Sequence, residues 1–252
     1  MNNSVVLITG ASSGIGEACA QAFARIGSKL ILFARRSERL EKIAEDLSNE
    51  FSTECIVRQV DVRDKTAVQM AVAKLPAEWK NIDVLVNNAG LSRGLAPFHE
   101  GSMQDWEEMI DTNLKGLIYM TKAVLPGMVA AGKGHVITIA SIAGRQAYPG
   151  GNVYSASKAA AKMFSDSLQI DVLGTGVRIC NVDPGLVETE FSEVRFRGDT
   201  ERAAKVYQNY SPLQAADVAD AVVWVVTRPA HVSIHDILIM PTDQATATLV
   251  NR

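Results

Sequence analysis

Seven short, β-branched and aliphatic runs punctuate the chain: Val5–Thr9, Lys29–Phe33, Cys55–Val60, Val84–Asn87, Val136–Ala140, Arg178–Val182 and Ile237–Met240. Most are apolar without polar alternation, the pattern of strands buried on both faces of a parallel sheet. Helix-compatible stretches separate them, among them Glu38–Glu50, Asp64–Leu75, Trp106–Ala131, Tyr154–Leu173 and Ala216–Thr227. Strand and helix alternating at this spacing specify the α/β class, a doubly wound parallel sheet with helices on both faces. Right-handed crossovers leave few topologies. No linker-like tract or internal repeat divides the chain, so residues 1–252 read as a single domain. The stretch 188–210 shows no clear periodicity and is a candidate substrate lid.

The first strand runs directly into Thr9-Gly10-Ala11-Ser12-Ser13-Gly14-Ile15-Gly16, and a helical run follows from Glu17. Glycines here permit a tight strand-to-helix turn and close approach of backbone to a pyrophosphate. The helix N-terminus then offers free N–H groups and a positive dipole end. The spacing is G-x-x-x-G-x-G, not the common G-x-G-x-x-G. A glycine triplet alone also suits a purely structural turn; its place between strand one and helix one favours dinucleotide binding.

The end of the second strand discriminates between dinucleotides. A carboxylate about 20 residues after the glycines would bind a ribose 2′-hydroxyl. Here the strand ends in Ala34-Arg35-Arg36 with no acid. Arg35 and Arg36 suit a 2′-phosphate, which guanidinium groups engage bidentately, although exposed arginines can also simply solvate a loop. NADP(H) is therefore the expected cofactor. Asp61 and Val62, just past strand three, are placed either to flank the adenine or to cap the strand.

Composition narrows the remaining classes. With 25 basic against 28 acidic residues, the net charge is -3, unlike a nucleic-acid binder. The cysteines Cys19, Cys55 and Cys180 cannot all pair and form no C-x-x-C, which suits reduced thiols in a cytoplasmic protein. No apolar run approaches membrane-spanning length. His231 and His235 are four apart but lack an H-E-x-x-H context, so no metal site is expected. Trp79, Trp106 and Trp224 read as core or interface packing.

Tyr154 and Lys158 stand four apart near the start of a helical run and project from one face. An ammonium beside a phenol lowers a pKa that is otherwise about 10, making Tyr154 a usable acid–base. Ser141 follows strand five, where open α/β sheets place their ligand sites, and its hydroxyl can hold a carbonyl oxygen. Asn113 interrupts a long helical pattern with an amide that could organise water.

These motifs, in this order, give the chain its resemblance to the short-chain dehydrogenase/reductase family over essentially its whole length. The family's glycine motif matches Thr9–Gly16, its Asn-Asn-Ala-Gly matches Asn87-Asn88-Ala89-Gly90, and its catalytic asparagine matches Asn113. Its serine matches Ser141, its Tyr-x-x-x-Lys matches Tyr154 and Lys158, and its Pro-Gly matches Pro184-Gly185 with Thr189 behind. The resemblance implies a Rossmann-like fold, a Tyr–Lys–Ser–Asn tetrad and a homo-oligomer, dimer or tetramer. The helix from Tyr154, apolar on more than one face, fits either burial within one subunit or, the favoured reading, oligomerisation. By the same resemblance, Gly10, Ser12, Ser13, Gly14, Ile15 and Gly16 bind the cofactor's phosphates, and Asn88, Ala89 and Gly90 run beside its adenosine and ribose. Lys158 would bind the nicotinamide ribose, next to Tyr154; Pro184, Val187 and Thr189 would hold the carboxamide. Asn113 would carry a water joining Lys158 to solvent.

The second half resembles a narrower group, the NADP-dependent 3-hydroxy acid dehydrogenases and sulfoacetaldehyde reductases. Tyr148–Tyr154, Gly185–Ser192, Val194-Arg195, Arg197-Gly198-Asp199 and Met240-Pro241 carry that likeness, whereas Arg145-Gln146-Ala147 departs from it. The implied activity is NADP-dependent interconversion of a small 3-hydroxy acid or hydroxy-sulfonate (serine, 3-hydroxypropionate or isethionate type) with its semialdehyde. Ser141 and Tyr154 would meet the reacting oxygen. Arg145, four residues after Ser141, and Arg195, in the candidate lid, are the two candidates for the substrate's anion, with Arg195 favoured; each is otherwise a solvated surface arginine. The competing readings are a reductase of a larger ketone or 3-oxoacyl substrate, and an NADP-binding sensor without turnover.

Overall fold

The computed structural model describes residues 1–252. In chain order the elements are β1 (Val5–Thr9), α1 (Gly14–Arg25), β2 (Lys29–Ala34), α2 (Ser37–Phe51), β3 (Cys55–Gln59), α3 (Lys65–Ala73) and β4 (Val84–Asn87). There follow α4 (Met103–Ile110), a π-helical turn (Asp111–Gly116), α5 (Leu117–Ala131), β5 (Gly134–Ile139), α6 (Asn152–Asp171) and β6 (Val177–Pro184). The chain closes with β7 (Val187–Glu188), α7 (Phe191–Arg195), α8 (Thr200–Lys205), β8 (Leu213–Gln214), α9 (Ala215–Val226) and β9 (Asp236–Ile239). No helix is long and apolar enough to cross a membrane.

Seven strands form one parallel sheet in the order β3-β2-β1-β4-β5-β6-β9, and β7 and β8 form a small second sheet. This is the Rossmann-like, doubly wound architecture. The apolar runs lack alternation because both faces are covered. Val6 and Ile8 of β1 pack with Phe23 of α1, Leu40 of α2 and Val222 of α9. Val5 and Leu7 pack on the opposite face with Val68 of α3, Met120 and Val124 of α5 and Leu168 of α6. A residue such as Phe23, fully buried, would cost about 3–5 kcal/mol if truncated to alanine.

Two segments differ from their sequence reading. The stretch 188–210 contains two short helices, α7 and α8, of five and six residues, too short to show a 3.6-residue period. The long pattern Trp106–Ala131 is broken into α4, the π-turn and α5. The wider π-turn carries Asn113 inward, and single π-turns inside helices are found mostly at functional sites.

Candidate active site

The strand order reverses at β1 and β4, and the crevice beyond their C-terminal ends is where such sheets take ligands. A cavity of about 380 Å³ opens there. Every residue predicted for the site lines it except Gly16, Asn113 and Arg145.

One end of the cavity is a cradle built by the turn after β1. Gly10 has φ +64°, and a Cβ there would stand 2.9 Å from Ala89 Cα. The Thr9 hydroxyl accepts the N–H groups of Asn88 and Ala89, both at 3.0 Å. The Asn88 amide donates to the carbonyls of Thr9 at 3.0 Å and Gly10 at 3.2 Å. Asn88 lines the cavity, but its side chain braces the glycine turn from behind. Gly16 lies beneath the turn: a Cβ would press on the Gly10 carbonyl and the Asn88 amide, so this glycine serves the packing of α1. Ser13, at the α1 N-cap, makes no capping hydrogen bond, so the first-turn N–H groups are left for a ligand. A backbone approach that no side chain obstructs, open amides and a positive helix end fit a pyrophosphate.

Beside this turn Arg36 donates to Ser12 Oγ at 3.2 Å, Ser13 Oγ at 2.7 Å and Glu190 at 2.9 Å. Arg39 reaches the other Glu190 oxygen at 2.5 Å. Arg35 is exposed on the cavity rim, its carbonyl accepting the Gln59 amide at 2.9 Å. Burial pushes the Asp61 carboxyl up, but hydrogen bonds from Arg63, the closest at 2.6 Å, outweigh it and hold the carboxyl below the usual range. Asp61 thus brings a charge already neutralised to the cavity wall.

At the other end stand Ser141, Tyr154 and Lys158, all buried. Burial pushes the Tyr154 phenol up to about 12, against pulls from the Arg195 charge and the Ser141 hydroxyl. The expected control of the phenol by Lys158 takes a different form. The Lys158 ammonium donates to the Ile139 carbonyl at 2.9 Å, and burial pushes its pKa down to about 8 while Asp183 pulls it up. The cation that acts most strongly on the phenol is Arg195.

Asn113 holds the backbone of Leu91 at both ends, accepting its N–H and donating to its carbonyl, each at 2.8 Å, and also donates to Ser157 Oγ at 3.0 Å. One acceptor position of its amide remains. Asn113 and Lys158 share a second, small cavity of about 10 Å³ behind the main one, about the room one water needs. A Cβ at Gly90 would lie 3.2 Å from both Asn113 Oδ1 and Lys158 Nζ, so the glycine leaves those groups unobstructed.

The two candidate anion-binding arginines separate cleanly. Arg145 is a correction: it lies outside the cavity, its Nε 2.5 Å from Asp183 and its Nη2 on the Asp236 carboxylate. Two carboxylates on neighbouring strands draw it away from the substrate side. Arg195 lines the cavity with its guanidinium carbon 5.3 Å from the Tyr154 ring centre and 5.2 Å from that of Phe191. Its Nη2 donates to the Tyr148 hydroxyl at 3.1 Å, and its buried Nε has no partner. Tyr148, Phe191, Tyr207 and Glu190 also line the cavity and were not among the predicted site residues. Their signal was the clustering of aromatics and Glu190 around Arg195 in and before the unassigned stretch. That stretch walls the cavity, anchored by the Arg195 carbonyl on the Gly94 N–H at 3.0 Å and by Arg93 on the Val194 carbonyl.

The family model for short chain dehydrogenases matches residues 4–199. The NADP-dependent 3-hydroxy acid dehydrogenase YdfG of Salmonella typhi is 51% identical over 246 residues, covering 97% of this chain and 98% of that protein. Sulfoacetaldehyde reductase 2 of Chromohalobacter salexigens is 46% identical over 242 residues, 96% of this chain and 95% of that protein. Among solved structures, the closed form of serine dehydrogenase complexed with NADP+ superposes with a TM-score of 0.92 at 51% identity, covering 98% of this chain and 99% of the other.

Proposed function

As the chain belongs to the short-chain dehydrogenase family and is an NADP-dependent oxidoreductase acting on CH–OH groups, we propose that it interconverts a small 3-hydroxy acid or hydroxy-sulfonate with the corresponding semialdehyde. The observation that carries this reading is Arg195: a guanidinium in the cavity wall, beside the Tyr154 ring, with an unpartnered N–H and no carboxylate paired to it. A half-buried cation with an unpartnered N–H and no counter-ion favours an anionic ligand, and planar guanidinium suits a carboxylate or a sulfonate. The names of the relatives describe small acids of that kind.

In this reading the α1 amides with Ser12 and Ser13 hold the pyrophosphate, Arg36 with Arg35 the 2′-phosphate, and Asp61 and Val62 flank the adenine. Ala89, Gly90 and Lys158 lie along the ribose, and Pro184, Val187 and Thr189 hold the nicotinamide amide. When bound, the reduced cofactor would supply the hydride for the carbonyl carbon, and its oxidised form NADP+ would accept one in alcohol oxidation. Ser141 orients the carbonyl oxygen and Tyr154 gives it a proton. Burial keeps the phenol protonated and therefore able to donate, while Arg195 and Ser141 ease the loss of that proton. Lys158 and the remaining Asn113 acceptor share the small cavity through which a water returns the proton. We also propose a homo-oligomer, because α6 leaves Met163 and Ile170, and the turn after it Leu173, at the surface.

Arg195→Ala tests the substrate class. Hydrogen bonds to charged groups contribute about 1.5–3 kcal/mol, so KM for an anionic semialdehyde should rise about 10- to 150-fold. Uncharged aldehydes of similar size should change little. Parallel losses for both substrate types would make Arg195 a structural residue and remove the acid-substrate reading.

A further inference from the structure

Asp183 is the penultimate residue of β6, one before Pro184, and its side chain is fully buried. Its two oxygens serve the two ends of one short turn. Oδ1 accepts the Ser141 backbone N–H at 3.1 Å, and Oδ2 accepts Arg145 Nε at 2.5 Å. Between these anchors runs the 3-10 turn Ile142–Gly144, whose Ala143 N–H is accepted by Ser141 Oγ at 3.1 Å. The same turn is pressed onto α6: a Cβ at Gly144 would lie 2.8 Å from the carbonyl carbon and oxygen of Lys158. The segment presenting Ser141 is thus clamped from β6 by one carboxylate and rests on the helix that presents Tyr154 and Lys158.

A buried carboxylate is costly unless it is paired and hydrogen-bonded, and a neutral acceptor would satisfy a lone N–H more cheaply. Asp183 is surrounded accordingly. Arg145 faces it from the turn, Asn181 from its own strand, Asp236 from β9 and Lys158 from α6. Arg145 reaches on to Asp236, which Lys162 of α6 approaches at 3.9 Å. The guanidinium that does not serve the substrate therefore has a different task, compensating the charge of this clamp.

We propose that Asp183, held by Arg145, is a positioning residue that fixes the Ser141 hydroxyl relative to Tyr154 by gripping both ends of the Ser141–Arg145 turn. This rests on the reading that Ser141 orients the substrate's carbonyl oxygen. A misplacement of a reacting group by about 1 Å can cost about 100-fold in rate, so Asp183→Asn, which keeps an acceptor but loses the grip on Arg145, should lower kcat about 10- to 100-fold.

The experiment is a double-mutant cycle on aldehyde reduction, using Ser141→Ala, Asp183→Asn and both together, with NADPH affinity measured alongside. A residue acting through Ser141 loses its effect when the hydroxyl is gone. Asp183→Asn should therefore cost less than about threefold in the Ser141→Ala background and leave the NADPH dissociation constant within about threefold. Equal losses with and without the Ser141 hydroxyl, or a kcat for Asp183→Asn within about threefold of the parent, would overturn the proposal. Ser141→Ala turning over at the parental rate would remove the reading beneath it, and the proposal with it. If Asp183→Asn does not fold, Arg145→Lys replaces it in the cycle, because lysine keeps the charge but lacks the planar fork. The same non-multiplying pattern is expected there, at about 3- to 10-fold, and losses that multiply would again overturn the proposal.

Discussion

Cofactor choice can be worked out from Arg36. Its guanidinium lies between Ser12 Oγ, Ser13 Oγ and one oxygen of Glu190, at 3.2, 2.7 and 2.9 Å. Two charge-assisted bonds to a 2′-phosphate would contribute about 1.5–3 kcal/mol each if fully buried. The Arg36 side chain is 42% exposed and that of Glu190 37%, so solvent screening removes a large share. About half of the sum, roughly 1.5–3 kcal/mol, remains, which is about 10- to 150-fold in affinity. Arg36→Ala should raise the NADPH dissociation constant by that factor and the NADH constant by no more than about threefold, measured by titration calorimetry. The selectivity should also shrink as salt rises, because the contact is partly exposed. Glu190 holds the arginines that the phosphate would take, so Glu190→Gln should tighten NADPH and leave NADH unchanged. Equal losses for the two cofactors in Arg36→Ala would refute this assignment of the phosphate.

Two further outcomes follow from the buried titratable groups. Tyr154→Phe removes only the transferable proton, so kcat should fall about 100- to 10,000-fold with NADPH affinity intact, and a rate within tenfold of the parent would mean another group supplies the proton. His135 on β5 is buried with both ring nitrogens unpartnered, and burial followed by the Arg178 charge pushes its pKa down to about 3. Between about pH 6.5 and 3 the unfolded chain takes up a proton that the folded one refuses, so stability falls with pH by about 1.4 kcal/mol per unit. From pH 7.5 to 5.5 urea denaturation should show a loss of about 1.4 kcal/mol that His135→Leu lacks, and an unchanged loss in that variant would place the acid sensitivity elsewhere.

The parts legible in the sequence are those fixed by local periodicity or by a strand-to-helix turn. β1 and β4 match their predicted bounds because runs buried on both faces are apolar throughout. The glycine turn was legible because a strand, a tight turn and a helix must follow one another along the chain. What the sequence hid depends on partners distant in the chain. The spacing of Tyr154 and Lys158 places both on one face of α6, yet the ammonium points to a carbonyl of β5 and the guanidinium nearest the phenol comes from α7. Asn113 was visible as a polar break, but the π-turn that sets its amide against Leu91 requires the strand-four loop to be in place.

The two arginines show the same limit most sharply. Each follows a recognisable motif, and nothing within several residues of either distinguishes a substrate ligand from a structural ion. The decision is made by carboxylates far along the chain. Arg145 meets Asp183 and Asp236 across the ends of β6 and β9, and a buried acid cannot stay charged without such a partner. Arg195 meets only aromatic faces and a tyrosine hydroxyl, which accommodate a cation without neutralising it. Under the proposed function, the negative charge that completes its surroundings arrives with the substrate. The proposed clamp at Asp183 and the proposed anion site at Arg195 are therefore complementary: by assigning one guanidinium to the buried acid, the fold leaves the other without a carboxylate beside the Tyr154 ring.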